Sequence, residues 1–137
     1  MRRAFTLVEV IAIVVLLGIV AAIAMPRMSS AQQDADLGWT LSELERVRRA
    51  VAVYRAMNEG ELPTIVAGDS TWGQLSGEAD YLMNAPENRW VGSKGARVVL
   101  RSSPDVAYQS EYGWIYDEQT GEVWAGGFDL NDEPFPR

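Results

Sequence analysis

The feature that most constrains this chain is an apolar run near its N-terminus that carries one acidic residue. The run extends from Phe5 to Met25, its polar side chains are those of Thr6 and Glu9, and Pro26 closes it. Its length matches the roughly 20 residues that an α-helix needs to cross the hydrocarbon core of a bilayer. A carboxylate inside such a span costs at least about 2.5 kcal/mol, so Glu9 requires a partner. The sequence therefore predicts a transmembrane helix over residues 5–26.

This segment resembles the start of type IV pilins and type II secretion pseudopilins. Members of that family carry a short basic leader, a prepilin peptidase cut before a phenylalanine, and a glutamate four residues after it. The matching residues here are Arg2 and Arg3, the Ala4–Phe5 bond, Glu9, and Pro26 for the proline that kinks the family's helix. The residue before the cut is usually glycine. Alanine is small enough that cleavage is still expected.

The resemblance implies how the N-terminus is used. The peptidase cuts between Ala4 and Phe5, the new amine of Phe5 is N-methylated, and Glu9 pairs with that amine on a neighbouring subunit. Because breaking one partner of a buried ion pair costs about 3–5 kcal/mol, this pairing would enforce register during assembly. The implied partners are further copies in a helical homopolymer, other pseudopilins, the prepilin peptidase, an inner-membrane platform and an assembly ATPase.

The basic leader also predicts topology. Arginines at the N-terminus favour a cytoplasmic N-terminus, so a single pass through the inner membrane would place the C-terminal domain in the periplasm. A secretory signal peptide has an apolar stretch of only about 7–15 residues before a small-residue cleavage site, which this run lacks. A plain signal anchor would explain the length but not Glu9.

The residues after Pro26 predict a second, amphipathic helical segment over 27–58. Its apolar positions recur with steps of three and four residues, as one face of a helix requires, and are Leu37, Leu41, Leu44, Val47, Val51 and Tyr54. The other face is expected to be solvated and holds Glu43, Glu45, Arg46, Arg48 and Arg49, with Glu45 and Arg49 spaced for an i, i+4 pair. Asn58 and Gly60 are stop signals. The two segments together predict one long helix, whose second half packs on the C-terminal domain.

The remaining residues, 59–137, predict short helical turns between Trp72 and Leu82 and a small antiparallel sheet of about three strands. The run 96–101 favours one strand, and residues 112–116 and 122–125 favour a hairpin around D-E-Q-T-G. We expect Gly121 in a left-handed conformation. The large aromatic side chains are expected in the core and are Trp72, Trp90, Trp114, Trp124 and Phe128. The predicted fold class is therefore α+β. The leader is predicted over residues 1–4.

Two stretches of this domain also resemble the G-type pseudopilin subfamily. The loop Tyr81–Trp90 has an apolar pair before proline, asparagine and an aromatic residue, and the hairpin is similar to that subfamily's sheet. The resemblance further implies that calcium binds near the acidic tail, where Asp129, Asn131 and Asp132 offer the oxygen ligands that hard cations prefer.

Composition narrows the function. The chain has no cysteine, so it has no disulfide, and this favours major pseudopilins over the many type IV pilins with a C-terminal disulfide loop. A formal charge of -7 argues against nucleic-acid binding, which needs clustered Lys and Arg. No histidine, G-x-S-x-G motif or phosphate-binding glycine loop is present, so no enzymatic activity is predicted.

The sequence thus predicts a structural subunit of a type II secretion pseudopilus that polymerises through its N-terminal helix and helps drive protein export. Three alternatives stay open. A type IV pilus subunit for adhesion, motility or DNA uptake shares every N-terminal feature. A minor tip pseudopilin is the second, and a membrane-anchored enzyme or binding domain, for which no site is found, is the third.

Overall fold

The computed structural model describes residues 6–76 and 81–137, except for the side chains of residues 24–29. One α-helix, α1 (Leu7–Met57), opens the chain. Two short 3-10 helices follow, Gly73–Leu75 and Arg89–Lys94. The strands are β1 (Gly68–Asp69), β2 (Arg97–Leu100), β3 (Trp114–Tyr116) and β4 (Val123–Ala125). The predicted α+β class and long N-terminal helix are confirmed.

The chain divides into two compact units, Met1–Asp34 and Ala35–Arg137. The second unit contains the end of α1 together with all four strands. The back half of the helix is therefore part of the folded domain rather than an appendage to it. The segment boundaries predicted from sequence texture, after residues 4, 26 and 58, stay predictions.

Helix α1 ends where the sequence predicts it to end. After Met57, the amide of Asn58 still donates to the carbonyl of Tyr54 at 3.0 Å, and the amide of Gly60 donates to the carbonyl of Arg55 at 2.9 Å. Gly60 has φ of 95°, a left-handed conformation that glycine adopts without steric cost. The last carbonyls of the helix thereby gain partners while the chain turns away.

The predicted apolar stripe of α1 forms the centre of the domain core. Leu44 and Val47 are 1% and 0% exposed, and Val51 and Tyr54 are buried on the next turns. Leu37 and Leu41 are partly buried against the same cluster. Because one face of a helix repeats every 3.6 residues, a single stripe can contact a single domain over these five turns.

The charged face of α1 differs from the prediction. Glu45 and Arg49 are exposed as expected. The ion pairs formed by the described residues of this face are instead Arg46 with Glu43, at 2.6 Å, and Arg48 with Asp132, also at 2.6 Å. Arg48 is therefore partly covered by the C-terminal residues. The spacing of residues along the helix could not reveal this contact, because Asp132 lies 84 positions away from Arg48.

In the part of the chain that the structure describes, the sheet is mixed rather than antiparallel throughout, with four strands in the order β1-β2-β3-β4. Strand β1 is antiparallel to β2, β2 is parallel to β3, and β3 is antiparallel to β4. Neighbouring parallel strands need a connection long enough to return the chain to the same end of the sheet. Residues 101–113 supply this return, whereas the prediction assumed hairpin-like neighbours.

The return ends at a tight backbone contact. The amide of Gly113 donates to the carbonyl of Arg97 at 2.9 Å. A Cβ at position 113 would lie 1.8 Å from the carbonyl oxygen of Gly95, so a larger residue would force the strands apart. The absence of a side chain at Gly113 therefore permits the parallel pairing of β2 and β3.

The hairpin formed by β3 and β4 is confirmed. Asp117 organises its turn: its carboxylate accepts hydrogen bonds from the Gln119 amide and the Thr120 hydroxyl, both at 2.9 Å. Gly121 has φ of 77°, the predicted left-handed conformation, and donates to the Asp117 carbonyl at 2.8 Å. Local sequence signals were sufficient here because every partner lies within four residues.

The large aromatic side chains lie in the core, as predicted. Those buried are Trp72, Trp90, Trp114, Trp124 and Phe128. Trp72 and Trp114 make an edge-to-face contact with ring centroids 6.1 Å apart, and Trp90 contacts Phe128 in the same way at 6.0 Å. With no disulfide available, these contacts carry much of the packing of a small domain.

Candidate functional site

The polar residues at the start of α1 bind each other. The backbone amide and the hydroxyl of Thr6 both donate to Oε2 of Glu9, each at 2.9 Å, and the Glu9 amide donates to the Thr6 hydroxyl at 3.3 Å. This is a capping box, in which the N-cap residue and the third helical residue satisfy each other's backbone amides. The T-x-x-E spacing at positions 6–9 signals it, although the sequence analysis assigned no partner to Glu9 within its own chain.

Behind this cap, the helix presents an apolar surface all round. Every large apolar side chain between Leu7 and Ile23 is exposed in the isolated chain, with 78% of Leu7 and 57% of Ile23 accessible. Soluble monomers rarely expose contiguous apolar patches of more than a few hundred Å². The segment Leu7–Ile23, called the apolar segment below, therefore needs a cover from outside the chain.

In residues 6–76 and 81–137, no helical stretch combines the length and hydropathy that crossing a membrane requires.

Several predicted site residues lie outside the described residues. These are the leader, the cleaved Ala4–Phe5 bond and the methylated Phe5. The side chain of Pro26 also lies outside them, as do those of the neighbouring residues 24–29; the helix is assigned through this position, and the kink stays a prediction.

The acidic tail residues suggested for calcium are already engaged. Asp129 accepts hydrogen bonds at Oδ1 from the amides of Asn131 and Glu133, at 2.8 and 2.9 Å. The bond from the Glu133 amide lowers the pKa of Asp129 below its usual value. Asp132 directs both carboxylate oxygens at the guanidinium of Arg48.

This arrangement does not fit a calcium site. Hard cations need six to eight oxygen ligands that converge on one point. Asn131 is exposed, and the carboxylate of Asp132 binds the guanidinium of Arg48. Oδ1 of Asp129 accepts hydrogen bonds from backbone amides of its own turn. Across the described residues, no group of three or more acidic side chains is arranged to hold a metal ion.

A buried carboxylate that the sequence analysis missed holds the return segment 101–113. Asp105 accepts four hydrogen bonds, from Arg101, Tyr112, Gln109 and the Gly127 amide. Burial alone raises the pKa of Asp105, but these four donors outweigh it and lower the pKa below its usual value. The Gly127 bond ties the return segment to the residues that follow β4. No sequence signal marks this pairing, because Gly127 donates through its backbone.

A second missed residue is Asn88, in the loop that resembles G-type pseudopilins. Its side-chain amide donates to the carbonyls of Gly113 and Gly126, both at 2.9 Å, and its Oδ1 accepts from the Trp90 amide at 2.9 Å. The Thr40 hydroxyl of α1 donates to the same oxygen at 3.2 Å. Asn88 is fully buried and fully hydrogen-bonded, so it fixes the loop to both the helix and the sheet.

The chain is similar to the type II secretion system core protein G of Klebsiella pneumoniae, with 24% identity over 122 residues. The similar region covers 89% of this chain and 80% of the relative. No protein-family model matches the chain, and no solved structure matches it. The similarity extends well beyond the N-terminal segment and is consistent with the resemblance to G-type pseudopilins predicted from the sequence.

Proposed function

We propose that this chain is a structural, non-enzymatic subunit of a type II secretion pseudopilus. The observation that carries the proposal is the similarity to a core G protein over most of both chains. The apolar segment supports it independently, because a helix that is apolar all round must be covered by lipid or by other subunits. The subunit polymerises through α1 and thereby helps drive protein export.

Before assembly, the N-terminal half of α1 sits in the inner membrane with Arg2 and Arg3 in the cytoplasm. The domain formed by Ala35–Arg137 faces the periplasm. Prepilin peptidase cuts the Ala4–Phe5 bond, and Phe5 is then N-methylated. The motif of the first nine residues and the positive charge of the leader support this topology.

The capping box gives Glu9 a partner before any neighbour arrives. Both hydrogen bonds that its carboxylate accepts from Thr6 end on Oε2. Oε1 is then the oxygen that accepts a bond from the Phe5 amine of an adjacent subunit. A carboxylate held in one orientation loses less conformational entropy on binding than a free side chain does.

In the filament, the apolar segments of successive subunits bundle together, and the sheets face outward. Other pseudopilins join the same filament. An inner-membrane platform and an assembly ATPase supply the work of extension, which moves folded proteins outward. These partners are inferred from the family to which the chain is similar.

The test compares Glu9→Leu with Glu45→Leu. Glu45 is an exposed carboxylate on the back half of the same helix, so it provides a matched control. We expect Glu9→Leu to be processed and inserted but to lose filament assembly by at least about tenfold, since an uncompensated amine is left at the interface. Glu45→Leu should assemble normally. Filaments are quantified in sheared fractions and by electron microscopy.

Three outcomes would each contradict a part of the proposal. Normal assembly of processed, membrane-inserted Glu9→Leu would remove the pairing role of Glu9. A mature chain whose mass begins anywhere but Phe5 would remove the proposed cut. Long surface fibres in wild-type cells, rather than short periplasmic filaments, would favour a type IV pilus subunit.

A further inference from the structure

The back half of α1 carries an arginine that donates two hydrogen bonds to the acidic tail and one to strand β4. Nη1 and Nη2 of Arg48 donate to the two carboxylate oxygens of Asp132, at 2.6 and 2.9 Å. Nε of Arg48 donates to the carbonyl of Val123 in β4, at 3.0 Å. The planar guanidinium thus bridges the strand and the tail, and its bidentate pair with Asp132 is a charge-assisted hydrogen-bond geometry that is stronger than a neutral one.

The tail is shaped to present Asp132 to this arginine. The Asp129 amide donates to the Glu133 carbonyl at 2.9 Å, and the Asp132 amide donates to the Asp129 carbonyl at 3.2 Å, which closes a tight turn. Asp132 has φ of 61°, a left-handed conformation that is uncommon for a residue with a side chain. Such a conformation persists where surrounding contacts hold it, and the contacts here are the hydrogen bonds of the turn together with the Arg48 pair.

The backbone of Arg48 is itself fixed. Its neighbour Val47 is fully buried, and Val51 is buried one turn later. The guanidinium therefore projects from a rigid part of the core. The hydrogen bond to the Val123 carbonyl further holds the guanidinium beside β4.

We propose that Arg48 takes the structural place of a divalent cation in this tail. The residues Asp129, Asn131 and Asp132 match the oxygen chemistry of a calcium loop, yet both oxygens of Asp132 bind Arg48 and Oδ1 of Asp129 binds backbone amides. The tail is accordingly docked by a cation of the chain itself, and its docking does not depend on calcium. This proposal does not rest on the proposed function.

The experiment uses the full chain in detergent micelles, with Tm and chymotryptic cleavage after Leu130 as the readouts. We expect the Tm of the wild type to be the same in about 1 mM CaCl2 and in about 1 mM EDTA. Arg48→Met should lower Tm by about 4–8 °C and speed tail cleavage at least about fivefold. Arg49→Met, an exposed arginine one position along, should leave both readouts unchanged.

A second variant guards against misfolding. Arg48→Lys keeps the charge but loses the bidentate geometry, so its Tm and cleavage rate should fall between those of wild type and Arg48→Met. A calcium-dependent rise in Tm that appears only in Arg48→Met supports the proposal, because it shows that Asp132 is released once the guanidinium is gone. A calcium-dependent rise in the wild type overturns it. So does an Arg48→Met chain that behaves like Arg49→Met.

Discussion

The two halves of α1 share one backbone conformation but cover their apolar side chains differently. In the apolar segment, Leu7–Ile23, every large apolar side chain is exposed in the isolated chain. In the back half, Leu44, Val47 and Val51 are buried in the domain core. A stripe along one face can be covered by the chain's own domain, whereas a helix that is apolar all round needs partners on every side. The apolar side chains of the first half therefore need a cover from outside the chain, whereas the domain already covers those of the second half.

The largest expected effect comes from truncating a core leucine in the back half of α1, with a leucine of the apolar segment as the matched control. Leu44→Ala should lower the free energy of unfolding of the domain by about 2–5 kcal/mol, because it leaves a cavity in the core. Leu16→Ala, the matched change in the apolar segment, should alter it by no more than about 0.5 kcal/mol. Urea denaturation followed by tryptophan fluorescence measures both. A comparable loss in Leu16→Ala would show that the front half also contributes to the folded domain.

A smaller effect is expected from Asp105, which stabilises the domain through polar contacts rather than apolar ones. In Asp105→Asn, the new NH2 group is itself a donor and faces groups that donated hydrogen bonds to the carboxylate. The free energy of unfolding should therefore fall by about 1–3 kcal/mol. The apolar segment has no part in this network, and filament assembly by the folded fraction should persist. Thermal unfolding at pH 7 measures the loss, and Asp69→Asn, at an exposed position in β1, is the control.

The same residue predicts a pH dependence. The pKa of Asp105 is lowered in the folded protein from an ordinary value of 3.8. A lowered pKa means that the carboxylate stabilises the fold above the ordinary value and that this stabilisation is lost as the pH falls through the folded pKa. Tm should therefore drop below about pH 4 in the wild type and drop less steeply in Asp105→Asn. Parallel curves for the two proteins would contradict the assignment.

The smallest expected effect is local to the start of the apolar segment. Thr6→Val keeps the shape of the side chain but removes the hydroxyl that bonds Glu9. Loss of an N-cap costs about 1 kcal/mol, so amide hydrogens of the first turn should exchange about fivefold faster in micelles. Domain Tm should not change. Unchanged exchange in Thr6→Val would mean that the capping box does not hold the first turn of α1.

Some features followed from local sequence alone. The length of α1, its stop at Asn58 and Gly60, its core stripe and the hairpin around Gly121 all depend on residues close in the chain, and the structure agrees with each. The T-x-x-E cap belongs to the same class, since its partners are three residues apart. Short-range periodicity and turn chemistry are sufficient wherever the interacting groups are neighbours.

Other features were decided only by the tertiary structure. The parallel pairing of β2 with β3 depends on how residues 101–113 return across the sheet, and the partners of Asp105, Asn88 and Arg48 include backbone groups or lie tens of positions away. The sequence pattern predicts Arg48 on a solvated helix face, whereas the structure shows it bound to Asp132 of the tail. The sequence determined that the first helix half must be covered from outside and that the second half carries a core stripe. The tertiary structure decided which charged side chains are buried and which partners they have. These partners come from distant segments that fold back against the helix, and a pattern along one helix carries no information about the segment that packs against it.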